Sequence, residues 1–149
     1  STGARPRRRE RRPVRIAFPV HDVEAARTFY SQALGCGTGR EDTTWIDFDL
    51  FGHQIVAHLD PGMDATPHVN PVDGDHVPVP HFGVVLTPDA WDALRDRLKA
   101  TDGRDWVIEP RTRFKGEPGA HPTTFLRDPS ANAPEFNAFA HPRRLSPPA

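Results

Sequence analysis

An α+β fold built from two βαβββ modules is what this 149-residue chain predicts. Three observations carry the expectation. One order of elements occurs twice: VRIAFPV, DVEAARTFYSQALG and WIDFDLFGHQIVAHL, then HFGVVL, TPDAWDALRDRLKA and TTFLRDPSANAPEFNAF. The copies share hydrophobic pattern more than sequence, and recurring order marks a repeated structural unit. Each copy also holds a single polar-faced helix among strands, which implies mostly antiparallel sheets around a shared cavity. A single domain is expected over residues 14–140, with module one at 14–60, a linker at 61–79 and module two at 80–140.

Each element has a local reason. Val14 to Val20 alternate weakly, and Pro19 suits an edge strand or a strand end. Asp22 is a helix N-cap; Val23, Ala26, Tyr30, Ala33 and Leu34 recur at helical spacing, and Gly35 stops the helix. Thr43 to Leu50 and Gln54 to Leu59 read as strands around Phe51, Gly52 and His53. The stretch PGMDATPHVNPVDGDHVPVP has no periodicity and reads as the linker, either a lid or a flexible spacer. In the second copy His81 to Leu86 form a strand, and Thr87 caps a helix with Pro88 at its first position. Trp91, Leu94 and Leu98 are that helix's buried stripe. A short strand from Trp106 to Glu109 precedes the polar loop RTRFKGEPGAHP. Thr123 to Arg127 and Glu135 to Phe139 form the last hairpin. Residues 1–13 read as a disordered Arg-rich arm and 141–149 as a coil.

Composition narrows the function classes. No apolar run approaches the ~18 residues that span a membrane, and the N-terminus lacks the apolar stretch of a secretory signal. The single cysteine, Cys36, excludes an internal disulfide and fits a reducing cytoplasm. No paired cysteines accompany the histidines, which argues against a structural zinc finger. Seven arginines and one glutamate fill residues 5–15, leaving 12 basic and 19 acidic residues, about −7, in the body. No aromatic interleaves the arginines and the acidic body repels phosphate, so no nucleic-acid partner is expected. GCGTG follows a helix instead of linking a strand to one, so it is not a phosphate loop.

His58, His81 and Glu135 fall near equivalent ends of the two copies. Two imidazoles and one carboxylate suit a divalent metal. Alternation places Glu135 on one face with Asn137 and Phe139, and His81 with Gly83 and Val85. A carboxylate in so apolar a strand is costly to bury unless paired or metal-bound. The plainer alternative pairs Glu135 with Arg15 or Arg113 and leaves the histidines as hydrogen-bonded core residues. His53, in a turn, is a candidate for substrate contact or an ordinary exposed histidine. Arg113 and Lys115 either gather an anionic substrate or belong to a solvated loop. His21, His68, His76 and His121 read as bystanders. Phe18, Trp45, Phe48, Phe82 and Phe125 either line an apolar pocket or fill the core.

FPVHDVEAARTFYSQALG, PHFGVVL and FLRDPSANAPEF together resemble the vicinal oxygen chelate superfamily of glyoxalases, extradiol dioxygenases, fosfomycin-resistance enzymes and bleomycin-resistance proteins. The resemblance spans about residues 14–140. It implies a glyoxalase-like cup of eight strands with metal positions on the first and fourth strand of each module, here Arg15, His58, His81 and Glu135. Two departures stand out. A guanidinium has no lone pair to give a metal, so Arg15 cannot ligate; it would either repel a metal or clamp an anionic substrate group. Ala131 replaces the usual glycine of the last hairpin, where a positive φ strains a side-chain-bearing residue.

The resemblance thus implies a metal-dependent enzyme, foremost an Fe(II) dioxygenase-like protein acting on a small molecule with vicinal oxygens. Its catalytic and metal residues would be His58, His81 and Glu135. A glyoxalase-like isomerase or lyase with Ni, Zn or Mn is the alternative on the same frame. A metal-free protein that sequesters a drug or natural product is the alternative from another class. A homodimer is also implied.

Overall fold

The computed structural model describes residues 12–64, 69–72, 75–113 and 121–139. Most of the Arg-rich arm, the C-terminal coil and Lys115 lie outside them.

Module one contains β1 (Arg15–Val20), α1 (Val23–Arg27), β2 (Gly37–Asp42), β3 (Trp45–Leu50) and β4 (His53–Leu59). Module two contains β7 (Phe82–Leu86), α2 (Pro88–Lys99), β8 (Trp106–Arg113), β9 (His121–Leu126) and β10 (Pro134–Ala138). Each builds a four-stranded sheet in the same order, β1-β4-β3-β2 and β7-β10-β9-β8. The first and last strands of each module pair in parallel and the rest antiparallel. That is the expected pair of βαβββ units.

Four expectations need correction. The linker is not without structure: β5 (Val69–Val72) and β6 (Asp75–Pro78) pair as an antiparallel ribbon. Alternating prolines and polar residues conceal strands from a hydrophobic pattern. β2, rich in Gly and charge and exposed throughout, also escaped the reading. The short strand after α2 continues past Glu109 to Arg113. The first helix changes type: after α1 the turns widen to a π-helix over Thr28–Ala33, with Leu34 N–H donating to Phe29 O at 3.1 Å.

Alternation gives each sheet two faces. Phe18, Val20, Ile46, Phe48, Leu50, Ile55 and Ala57 point into one core shared with α2 and with Leu86, Leu126 and Phe136 of module two. The opposite face carries Arg15, Ala17, Pro19 and His58 in module one and His81, Gly83 and Val85 in module two, all exposed. β1 and β7, each at the edge of its sheet, meet through Phe18 and Phe82, whose rings stack at 5.3 Å. Phe51 touches Phe136 edge-on at 6.0 Å, and Trp91 Nε1 donates to Phe136 O at 2.9 Å.

A buried polar knot joins the modules. Tyr30, fully buried among Phe18, Phe29 and Phe48, donates its hydroxyl to Asp128 Oδ2 at 2.8 Å. Asp128 Oδ1 accepts the backbone N–H of Ser130 and of Asn132, both at 2.8 Å. Asn132 Nδ2 reaches back to Pro19 O at 2.8 Å. Burial pushes the Asp128 carboxyl up from its ordinary value, and these donors oppose the shift. Burial, reinforced by Asp128, holds Tyr30 well above the ordinary phenol range. In the same hairpin Ala131 has φ 65°, the left-handed conformation anticipated there.

These features set three outcomes. Tyr30→Phe removes a buried hydrogen bond to a charged group and should cost about 1.5–3 kcal/mol in denaturant unfolding. Ala131→Gly should raise stability by roughly 0.5–1 kcal/mol, because glycine adopts positive φ without strain. Burial pushes the Cys36 thiol up to about 12, so the folded protein should leave dithionitrobenzoate almost unreacted at pH 8 and react promptly in denaturant.

Candidate functional site

His81 and Glu135 come together on adjacent strands of module two. His81 Nε2 lies 3.3 Å from Glu135 Oε2, with the side chains 33% and 18% exposed. Each is held from behind. His81 Nδ1 contacts Pro78 O at 2.8 Å. A carbonyl only accepts, so Nδ1 bears the hydrogen and Nε2 is the nitrogen turned toward the carboxylate. The His81 ring also packs edge-on against Phe125 at 4.9 Å. Glu135 Oε1 accepts from Asn137 Nδ2 at 2.8 Å, and Asn137 Oδ1 accepts from the buried Thr123 hydroxyl at 2.6 Å. Oε1 is therefore engaged and Oε2 is the oxygen presented. Gly83 makes the approach of β10 possible: a Cβ there would stand 2.6 Å from Glu135 O.

His58 does not join the pair within the chain. Among the described residues no three His, Cys, Asp or Glu side chains gather closely enough to hold an ion. The strand register explains why. In module two Glu135 sits beside Gly83, two residues after His81. In module one the residue two after Arg15 is Ala17, and its neighbour is Val56. His58 lies one rung further, beside Pro19. Val56 thus stands where His58 was expected, and His58 is the counterpart of Asn137.

The remaining candidates take other places. Arg15 is exposed at the start of β1 and Glu135 does not pair with it. His53 has a backbone task, its Nδ1 accepting the Val14 N–H at 2.9 Å and anchoring the entry to β1. Arg113 ends β8, its side chain outside the described residues, and Lys115 lies beyond them.

Two roles escaped the sequence reading: Asn137 and Thr123 orient the carboxylate, and the i, i+2 spacing that puts Asn137 on the face of Glu135 was the available signal. Asp47, a buried acid elsewhere in module one, was also not singled out. It is 5% exposed on the helix-free face of β3 and accepts from Gln54 Nε2 at 2.9 Å; its Oδ1 has no hydrogen-bond partner.

A cleft of about 410 Å³ opens beside His81. It lies where β1 and β7 meet, walled by Ile16, Phe18, Met63, Val79 and Phe82 and by the 130–133 loop. The arrangement offers one imidazole at the border of an apolar recess and one carboxylate beside that imidazole, both preoriented. It can hold two positions of a divalent ion, or receive a proton and return it.

Paired βαβββ modules meeting at such a recess define a class, and comparison with known proteins agrees with it. The chain belongs to the Glyoxalase/Bleomycin resistance protein/Dioxygenase superfamily, whose family model matches residues 12–136. It is similar to a solved glyoxalase/bleomycin resistance protein/dioxygenase from Alicyclobacillus acidocaldarius. The two are 30% identical with a TM-score of 0.74, over 91% of this chain and 96% of that one. Two further structures share the fold at lower identity. A fosfomycin resistance protein from Listeria monocytogenes is 16% identical (TM-score 0.62), over 91% of this chain and 99% of its own. A lactoylglutathione lyase from Agrobacterium tumefaciens is 17% identical (TM-score 0.54), over 89% and 97%. No curated protein matches the chain.

Gly83→Ala should force β10 away from β7. The expected cost is about 1–3 kcal/mol, the usual penalty of overpacking, read in thermal and denaturant melts.

Proposed function

We propose that the protein is a metal-dependent enzyme acting on a small molecule with vicinal oxygens, with His81 Nε2 and Glu135 Oε2 as donors to one divalent ion. The observation that carries this reading is the pair itself. A nitrogen and a carboxylate oxygen face each other at 3.3 Å, each fixed by a bond on its far side. Unless that nitrogen carries a second hydrogen, two lone pairs so placed call for a cation between them. When bound, a divalent ion would polarise and orient the substrate oxygens as a Lewis acid.

This chain's residues supply the rest. Pro78 O keeps the His81 lone pair directed forward. Asn137, itself held by Thr123, occupies Oε1, so Oε2 is the oxygen that Glu135 would offer to the ion. The apolar wall beside His81 excludes water from the bound oxygens. Fe(II) and dioxygenase-like chemistry come first, because an imidazole and carboxylate set with open positions suits oxygen chemistry. Ni, Zn or Mn with isomerase or lyase chemistry follows on the same donors. His58, exposed and off the cluster in its own chain, is assigned as a third donor from a second copy, which makes a homodimer part of the reading.

Arg15 favours a second reading. It holds in module one the place of His81 in module two, and a cation there opposes a metal. A metal-free protein that sequesters a small molecule satisfies that residue.

Elemental analysis of anaerobically purified protein separates the two. Near-stoichiometric iron, lost in Glu135→Gln, is expected; absence of metal after reconstitution with each ion would sink the enzyme reading. Asn137→Leu should weaken metal binding by about 10–100-fold in a Mn(II) resonance titration, the usual effect of removing a group that orients a ligand. Its melting temperature should barely move. His58→Ala should weaken binding only under conditions where the protein is dimeric by light scattering.

A further inference from the structure

The cleft beside His81 carries information about the body of the substrate. Its walls are apolar: Ile16, Phe18, Met63, Val79 and Phe82, with Pro19, Pro78 and Pro80 at the sides. The polar groups among them are already used. Ser130 Oγ accepts the His21 N–H at 2.9 Å and contacts His21 Nδ1 at 2.6 Å. Asn132 Nδ2 is shared between Pro19 O and Asp128 Oδ2. Asp64, the one acid among the described lining residues, has a partner of its own. No lysine or arginine is among the described residues that line this cleft.

The neighbouring cleft shows the contrast. Its volume is about 420 Å³, it shares Ala131 as a wall, and it is lined by Arg104, Arg127 and Asp105. Size does not separate the two recesses; charge does.

We propose that the cleft beside His81 takes the uncharged, apolar body of a substrate whose oxygen donors lie at one end only, and that it rejects phosphonates, phosphates and other anions. This deepens the metal-dependent reading and rests on it for the oxygen end. An anion lodged against these apolar walls loses its water and meets no lysine or arginine among the described lining residues, a cost that pairing does not offset. A neutral apolar body loses nothing by the same transfer and buries area against both modules. Among the described lining residues, His81 is where the oxygen end of such a substrate would lie, on the side that leads to Glu135.

Fluorescence titration of the full chain with N-phenyl-1-naphthylamine, a neutral apolar dye, tests the assignment. Saturable one-site binding is expected, undisturbed by excess fosfomycin or inorganic phosphate. Val79→Arg, at an exposed wall position, should weaken dye binding by about tenfold or more, a change of ~1.4 kcal/mol, with the melt unchanged. Met63→Lys should do the same from the opposite wall. Glu135→Gln should bind the dye normally. Absence of saturable binding, displacement by either anion, or indifference to both wall variants would overturn the assignment. Dye binding by protein that takes up no metal overturns the enzyme reading and leaves the cleft assignment standing. Metal uptake without dye binding overturns the cleft assignment alone.

Discussion

One buried carboxylate sets the relation of the two modules. Asp128 takes the Tyr30 hydroxyl from the first helix and two N–H groups from its own hairpin. Removing a carboxylate from water is costly unless donors surround it, and here they do. Burial raises both the Asp128 carboxyl and the Tyr30 phenol. The phenol therefore keeps its hydrogen as a donor throughout the neutral range. Through Asn132 and Ser130 the same loop reaches Pro19 and His21, so the end of β1 is tied to the hairpin that leads into β10. The apolar contacts between modules, Phe18 on Phe82 and Phe51 on Phe136, supply area. The Asp128 knot supplies direction, because hydrogen bonds specify geometry where hydrophobic contact does not.

The candidate site depends on that alignment. β10 presents Glu135 on the helix-free face and Phe136 on the core face, so a slip of one residue would exchange them. Parallel pairing with β7 sets Glu135 beside Gly83 and within reach of His81. The missing side chain at Gly83 lets the strands approach, and the Thr123–Asn137 pair then holds the carboxylate in one rotamer. The site is built on strands and supported from behind, which suits donors that must be in place before anything binds.

Much of this was legible in the sequence. The repeat and the two helices with their caps followed from hydrophobic period and capping residues, and the positive φ at Ala131 from the glycine that the family resemblance puts there. His81 and Glu135 stood out as polar residues in apolar strands. His58 stood out for the same reason, but its place depends on strand register, and the two modules reach the ends of their last strands differently. Composition does not encode that offset. The β5–β6 ribbon was hidden by its prolines, and β2 by exposure on both faces, which removes the alternation on which a strand is recognised. The π-helical turn has no side-chain signature; it carries Tyr30, whose hydroxyl reaches Asp128. Asp47 was passed over because a polar residue in a strand reads as solvent-facing until its neighbours are known, and Asn137 was placed on the face of Glu135 without its hydrogen bond being foreseen.

The register offset has a consequence for how the two halves divide their work. In backbone the chain is nearly a two-fold object; in chemistry it is one-sided. Arg15 and Val56 stand in module one where His81 and Glu135 stand in module two. Within one chain the oriented imidazole and carboxylate therefore both descend from a single half, and the other half braces the hairpin that carries the carboxylate. The repeat holds its frame in common while its two copies carry unlike chemistry.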